Sequence, residues 1–391
     1  MSEPAAASKP KALSTSSTNH TFCRTVNASE VAASYTAEIT SSIQASLSAS
    51  SSAQRPKLVG FLCGQKDSPS VTYAEWTRKA CESVGIEYEL RLIETEKNEN
   101  DEQGQESVGG AALGAADLET AILEANSDPA VNGIMVYYPT GAGQRQDSYI
   151  QQVVTREKDV EGLNFSYLFN LYHNIRMIDP RTLSLSLAHS AQLSAKQQNG
   201  EVNAGHLVKS ILPCTPLAIV KTLEYLGVYN SILPYGQRAY GRTITVINRS
   251  EVVGRPLAAL LANDGARIFS VDIDNIQEFS RRRTTSSSSS LPHHVVKDSK
   301  YSLEECLRMS DTVITGVPSK GYKVKTDQLR DGVVAINFSS EKNFEADIKD
   351  KASIYLPSIG KMTIAMLQRN LLRLVEYQKI LAEQPALTAS V

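Results

Sequence analysis

The stretch TITVINRSEVVGRPLAALLANDGARIFSVDID, residues 243–274, constrains this chain more than any other. An apolar run of strand length passes through a polar turn into helix-period apolar positions, and then into a second apolar run. Two such runs joined by a helix-length crossover read as a parallel pair, because an antiparallel pair needs only a short turn. Strand-like runs recur in DTVITGV, VVAINF and SIYLP between residues 311 and 357. An earlier series reads the same way. It runs from KLVGFLCG (57–64) through a helix over about 70–85, ended by Gly85, and IEYELRLIE (86–94) to the helix LETAILEANSD and VNGIMVYYP (131–139). The alternation predicts an α/β chain with mostly parallel sheets, and 391 residues favour two domains over one.

Three further helices are expected. Residues 29–50 carry helical periodicity with Ser29 as N-cap. LPCTPLAIVKTLEYLG starts a helix with Thr215 as N-cap and Pro216 at the first helical position. MTIAMLQRNLLRLVEYQ is amphipathic, with Met362, Ile364, Ala365, Leu367, Leu371, Leu374 and Val375 as its core stripe. Polar loops are expected at 95–110, in an insert at 183–205, and in the Arg/Ser excursion at 281–290. Between Glu3 and Glu30 the chain has no acid and many hydroxyls, one mark of a transit peptide. Its Ala, Ser and Pro content reads rather as a disordered tail over residues 1–28.

Composition removes several function classes. A net charge of −2 provides no basic field for nucleic acid or an anionic membrane surface. No apolar run is long enough to cross a bilayer, so a soluble, cytoplasmic protein is expected. The five cysteines lack any CxxC pair, which suits reduced thiols. The histidines form no HExxH-like cluster; His293 and His294 read as solvated loop residues, and no metal is expected.

The turn between the first strand and helix of the 243–274 unit points to a dinucleotide. A pyrophosphate would sit on the helix N-terminus, where free N–H groups and the positive dipole end point outward. Gly254 would allow close backbone approach, Arg249 and Ser250 add donors, and Asn248 stands where a first glycine is usual. Asp272, with Ile273 beside it, ends the next strand at the spacing of a carboxylate that grips the ribose diol. That carboxylate repels a 2′-phosphate and favours NAD over NADP, whereas Arg249 favours NADP. Neutralisation of Arg249 by Asp272 or Asp274 would leave NAD the preferred cofactor.

Six segments in order resemble the methylenetetrahydrofolate dehydrogenase/cyclohydrolase family. They are SVTYAEWTRKACESVGI, GIMVYYP, EKDVEGLN, LPCTPLAIV, INRSEVVGRPLAALL and YLPSIGKMTIAML. The fifth, with LPCTPLAIVKTLEYL, looks most like the monofunctional NAD-dependent branch. The resemblance implies a folate-binding domain over 29–214, a Rossmann-like NAD domain over 215–356, and a closing helix over 357–391 that returns to the first domain. It also implies a homodimer acting on tetrahydrofolate derivatives in one-carbon metabolism. Tyr73 would contact the folate ring system, Glu161 would take the place of an aspartate at the pterin edge, and Pro357, Ser358 and Ile359 would lie by the benzoate ring. Cys214 would lie near the nicotinamide, as a buried small hydrophobe or as a reactive thiol. Gly316, Val317 and Pro318 would face the nicotinamide from the other side. Lys158 and Asp159 read equally well as a structural ion pair.

Two departures from the family pattern bear on chemistry. The bifunctional enzymes place a lysine one helical turn after the tyrosine and a glutamine beside it, for the hydrolytic step. Here the matching positions are Thr77 and Tyr137. Neither side chain carries a cationic proton near neutral pH, whereas hydride transfer asks mainly for alignment of two rings. Loss of cyclohydrolase activity is the expectation.

Overall fold

The computed structural model describes residues 23–51, 53–64, 69–93, 108–181, 207–281 and 293–382. Residues 95–107 of the loop expected at 95–110, the 183–205 insert, residues 1–22 of the expected tail, and most of the 281–290 excursion lie outside these; residues 108–110, expected as loop, instead begin a helix. Strand β1 (Arg24–Thr25) and helix Ala28–Ala49 come first. Asn27, not Ser29, is the N-cap, so the helix takes in the serine as its second residue. The part of the expected tail that is described is ordered: β1 pairs in parallel with a strand more than three hundred residues away in sequence.

A small parallel sheet follows, in the order β3-β2-β4, from β2 (Lys57–Cys63), β3 (Glu87–Ile93) and β4 (Gly133–Val136). Helices Pro69–Val84 and Val108–Ser127 are its crossovers, and their apolar sides cover it. Leu58, Leu62 and Met135 face one layer while Val59, Phe61, Ile134 and Val136 face the other, the alternation a doubly covered sheet requires. Gly85, at φ +91°, ends the first crossover in the left-handed conformation that glycine adopts without strain.

A two-stranded ribbon, β5 (Met177–Ile178) with β6 (Val208–Lys209), leads into helix Cys214–Tyr225. That helix begins two residues before the expected position. Pro213 is the N-cap and Pro216 is the third helical residue, where its missing N–H still removes no helical bond.

The large sheet has eight strands in the order β1-β13-β12-β11-β7-β8-β9-β10. Its members after β1 are β7 (Thr243–Ile247), β8 (Arg267–Val271), β9 (Ile276–Arg281), β10 (His294–Asp298), β11 (Thr312–Thr315), β12 (Val333–Asn337) and β13 (Ala352–Leu356). Pairing is parallel from β1 to β8 and antiparallel for β9 and β10, which the sequence reading did not anticipate. His294 therefore sits in a strand, stacked on Phe279 at 5.5 Å, rather than in a solvated loop. Burial lowers its pKa to about 4. Strand order reverses between β7 and β11, and in open parallel sheets the crevice at such a reversal is where ligands bind.

Helix Gly360–Ala382 closes the chain, burying its apolar stripe against helices Ala28–Ala49 and Cys214–Tyr225. Of the expected stripe, Met362, Ile364, Ala365, Leu367, Leu371 and Leu374 are buried and Val375 is half-buried.

Candidate active site

Helix Pro69–Val84 carries Tyr73 and Thr77 one turn apart. Thr77 is fully buried, and its hydroxyl donates to the Tyr73 carbonyl at 2.9 Å. Tyr137, the first residue past β4, meets the Tyr73 ring edge-on at 6.0 Å. Its phenol oxygen lies 2.7 Å from that of Tyr88 on β3. Gly60 on β2 makes room for this pair: a Cβ there would stand 2.4 Å from the Tyr88 oxygen and 3.3 Å from the Tyr137 ring. Burial pushes the Tyr137 phenol up to about 12, with the Thr77 and Tyr88 hydroxyls holding it down. Burial also raises Tyr73, so all these hydroxyls stay protonated at neutral pH. Tyr88 escaped the sequence reading. An aromatic diagonally across from a glycine in the neighbouring strand was the available signal.

The 158–162 segment lies along β4. Ile134 N–H donates to Lys158 O at 2.7 Å, and Val160 N–H to Ile134 O at 3.4 Å. Two residues further along β4, the ladder is continued by a side chain: Val136 N–H donates to Glu161 Oε2 at 2.9 Å. Burial raises the Glu161 pKa to about 8, an unusual value for a carboxyl group. Asp159 accepts from the backbone N–H groups of Glu161, Gly162 and Asn164 at 2.7–3.0 Å and so shapes the turn. Burial nevertheless lifts its pKa to about 6. The expected ion pair with Lys158 is absent among the described residues. Lys158 Nζ donates instead to the carbonyls of Ala125 and Asp128, because those helix-end oxygens need donors.

Gly162, at φ +73°, lets this turn touch the next element. A Cβ there would lie 2.7 Å from the Leu212 backbone. Cys214 N–H donates to Glu161 O at 3.0 Å. The Cys214 side chain is buried, and burial with the nearby Glu161 pushes its thiol up to about 12. A thiol that keeps its proton is a poor nucleophile, because the thiolate is the reacting form. Pro357 and Ser358 remain accessible, but Ile359 is 3% exposed and belongs to the core with Met362. Its side chain packs in the core, while its two neighbours keep accessible surface.

On the nucleotide side, Asn248 follows β7 with φ +87°, the conformation for which glycine is the usual choice. Asparagine tolerates it and adds bonds: Nδ2 donates to Gly316 O at 2.6 Å, and Oδ1 accepts from Ser250 N–H at 3.1 Å. This side chain bridges the ends of β7 and β11, across the point where strand order reverses. Helix Gly254–Asn263 starts later than the sequence suggested, so Arg249–Val253 is a turn. Ser250 Oγ accepts from Val253 and Gly254 N–H at 3.3 Å. At Gly254 a Cβ would lie 1.7 Å from Asn248 O, so its close approach is to the turn itself. At Gly316 a Cβ would run into the Phe338 ring at 1.9 Å. Val317 is held by Asn343, whose Oδ1 accepts from Val317 N–H at 2.8 Å, and Pro318 is exposed.

Arg249 makes no ion pair with Asp272 or Asp274. Its guanidinium donates to Ser270 Oγ (3.0 Å), Ser270 O (2.6 Å) and Asn275 Oδ1 (2.7 Å), bonds that fix it along the end of β8. Asp272 and Ile273 are exposed, Ile273 at 97%. The structure therefore gathers Asn248, Arg249, Ser250, Asp272, Gly316 and Val317 at the carboxyl ends of β7, β8 and β11. A helix N-terminus, a glycine-permitted turn and an exposed carboxylate suit the pyrophosphate and ribose of a dinucleotide.

Residues 26–161 match the family described as "Tetrahydrofolate dehydrogenase/cyclohydrolase, catalytic domain". The methylenetetrahydrofolate dehydrogenase [NAD(+)] of Schizosaccharomyces pombe is 48% identical over 361 residues, covering 92% of this chain and 95% of that protein. The chain belongs to this family. Its relative of the same description from Dictyostelium discoideum is 41% identical over 326 residues, 83% of this chain and 87% of that one. Among solved structures, the NAD-dependent 5,10-methylenetetrahydrofolate dehydrogenase from Saccharomyces cerevisiae aligns with a TM-score of 0.75 at 46% identity. That alignment covers 93% of this chain and 99% of the other. The two-domain α/β architecture of the family is the one described above.

Proposed function

We propose that this chain catalyses NAD-dependent oxidation of 5,10-methylenetetrahydrofolate to 5,10-methenyltetrahydrofolate, without useful cyclohydrolase activity. The observation that carries the second half is the hydroxyl array at Tyr73, Thr77, Tyr88 and Tyr137. Thr77 is buried with its hydroxyl bonded to a carbonyl, and the Tyr137 phenol is paired with Tyr88. No side chain in this array holds a cationic proton to relay to water.

In this reading the folate ring system lies against Tyr73 and Tyr137, with Glu161 at the pterin edge and Pro357 and Ser358 by the benzoate. Asn248, Arg249, Ser250 and the start of helix Gly254–Asn263 hold the pyrophosphate. Asp272 takes the ribose diol with Ile273 beside it, and Gly316–Pro318 bound the nicotinamide. NAD supplies a hydride acceptor. The chain's own part is to align the two rings, keep water out with aromatic walls, and provide an acceptor at the pterin edge. Cys214, with a retained proton, lines this junction without reacting.

The diol preference rests on Asp272, left free because Arg249 is occupied by Ser270 and Asn275. We further take the protein to be a cytoplasmic homodimer that feeds one-carbon units to purine synthesis. Neither nucleic acid nor membrane is a partner in this reading. No helix among the described residues is long and apolar enough to cross a bilayer.

The test is a cofactor-resolved assay on purified protein. NADH formation from methylenetetrahydrofolate and NAD, exceeding NADPH formation from NADP, is the expected result. Methenyltetrahydrofolate should then decay no faster than in buffer. Faster decay would make the enzyme bifunctional, and no NADH at saturating substrates would leave a silent binding protein.

A further inference from the structure

A cavity of about 120 Å³ lies between the ribbon strand β6 and helices Phe165–Tyr172, Cys214–Tyr225 and Gly360–Ala382. None of the residues assigned to folate or NAD lines it. Its floor is apolar, with Leu212, Leu217 and Leu260. Its walls carry Arg176, Lys209, Lys221, Arg369 and Arg373, and Tyr235 stands beside them.

Most carboxylates near these cations are engaged; Glu376, one turn after Arg373, adds a negative charge near it outside ion-pair range. Asp264 accepts from Arg176 at 2.7 Å and from the Tyr229 phenol at 2.9 Å. Glu224 pairs with Lys221 at 2.8 Å, and Glu38 with Arg369 at 3.1 Å. Arg373 has one hydrogen bond, from NH1 to Ser210 O at 3.1 Å, and no carboxylate in ion-pair range among the described residues. Burial lowers its pKa. Lys209 likewise has no carboxylate partner among the described residues; its ammonium stands 5.9 Å from the Tyr235 ring centroid, and Arg176 is 4.9 Å from the same ring. Arg373 is partly buried, and four of its five donors are unused by the described residues, which leaves its fork open to an anion in the cavity.

We propose that this cavity binds a compact phosphate-type dianion, gripped by Arg373 and Lys209 with Arg176 behind them. A guanidinium fork matches two phosphate oxygens, and lysine supplies a point charge at the mouth. The volume admits a phosphate group or small ester head and excludes a dinucleotide.

The experiment uses the full-length protein with NAD at saturation, so that phosphate cannot report from the nucleotide turn. Inorganic phosphate and phenyl phosphate are titrated by calorimetry and by thermal shift, with sodium chloride holding ionic strength constant. Both anions should raise the melting temperature of the wild type. Binding should weaken about tenfold or more in Arg373→Leu and in Lys209→Met, the loss expected for one charge-assisted contact. Lys209 is exposed, so its variant carries the test if Arg373→Leu folds poorly. Tighter binding of phenyl phosphate identifies an ester with an apolar body on the leucine floor; equal binding identifies free phosphate. No stabilisation of the wild type, or undiminished binding in both variants, would overturn the site.

Discussion

The phenol oxygens of Tyr88 and Tyr137 stand 2.7 Å apart, in space that only a glycine at position 60 leaves open. Tyr88 touches Tyr137 rather than the proposed folate position, which makes it a positioning residue. Tyr88→Phe should cost about 1 kcal/mol of stability through the lost hydrogen bond. It should raise KM for methylenetetrahydrofolate several-fold while leaving KM for NAD unchanged. Steady-state kinetics with each substrate varied in turn decides this, and equal effects on both constants would remove Tyr88 from the folate wall.

Restoring the family's hydrolytic pair needs two changes, not one. Thr77 is fully buried, so Thr77→Lys alone overfills its site, at a cost of about 1–3 kcal/mol. Tyr137→Gln frees volume beside it. The double variant should accelerate methenyltetrahydrofolate decay above the buffer rate, and the single variant should do so far less. Absorbance decay with equal amounts of each protein measures it.

Glu161 gives the protein a pH signature. Its folded pKa of about 8 lies above the carboxylate reference of 4.5, so the folded state holds an extra proton between those values. The stability this contributes is complete below about pH 4.5 and is lost as pH rises through 8. Asp159, raised from 3.8 to about 6, adds the same sign over a lower window. Glu161→Gln should flatten the fall in melting temperature between pH 6 and 8, a window inside Glu161's own range. Pterin binding, which uses the ionised carboxylate, should strengthen toward pH 8 in the wild type only. Melting curves and folate titrations across that range test both.

Cofactor choice should respond to Asp272. The carboxylate is exposed and Arg249 is occupied by Ser270 and Asn275. Asp272→Ser should raise kcat/KM for NADP by roughly tenfold, the scale of one nearby charge. NAD turnover should change less. An unmoved NAD-to-NADP ratio would place discrimination elsewhere in the turn.

Much of the scaffold was legible from local pattern. The alternation of apolar runs with helical periods specified parallel sheets, because period and crossover length are properties of contiguous residues. β9 and β10 escaped for a physical reason: they are the last two strands at one edge of the sheet and mostly only partly buried, so their apolar signal is weak. Helix starts slipped by one to five residues because caps depend on backbone angles that residue type only biases.

At the candidate site, sequence by itself determined which residue types stand at each position: hydroxyls at 77 and 137, carboxylates at 161 and 272, glycines at 254 and 316. Tertiary structure decided what they can do. Arg249 is fixed by groups 21 and 26 positions away, Tyr137 by one 49 away, and Glu161 titrates near 8 because the fold withdraws it from water. Hydrogen-bond partners and desolvation arise from packing between distant segments, and no local window of sequence contains them.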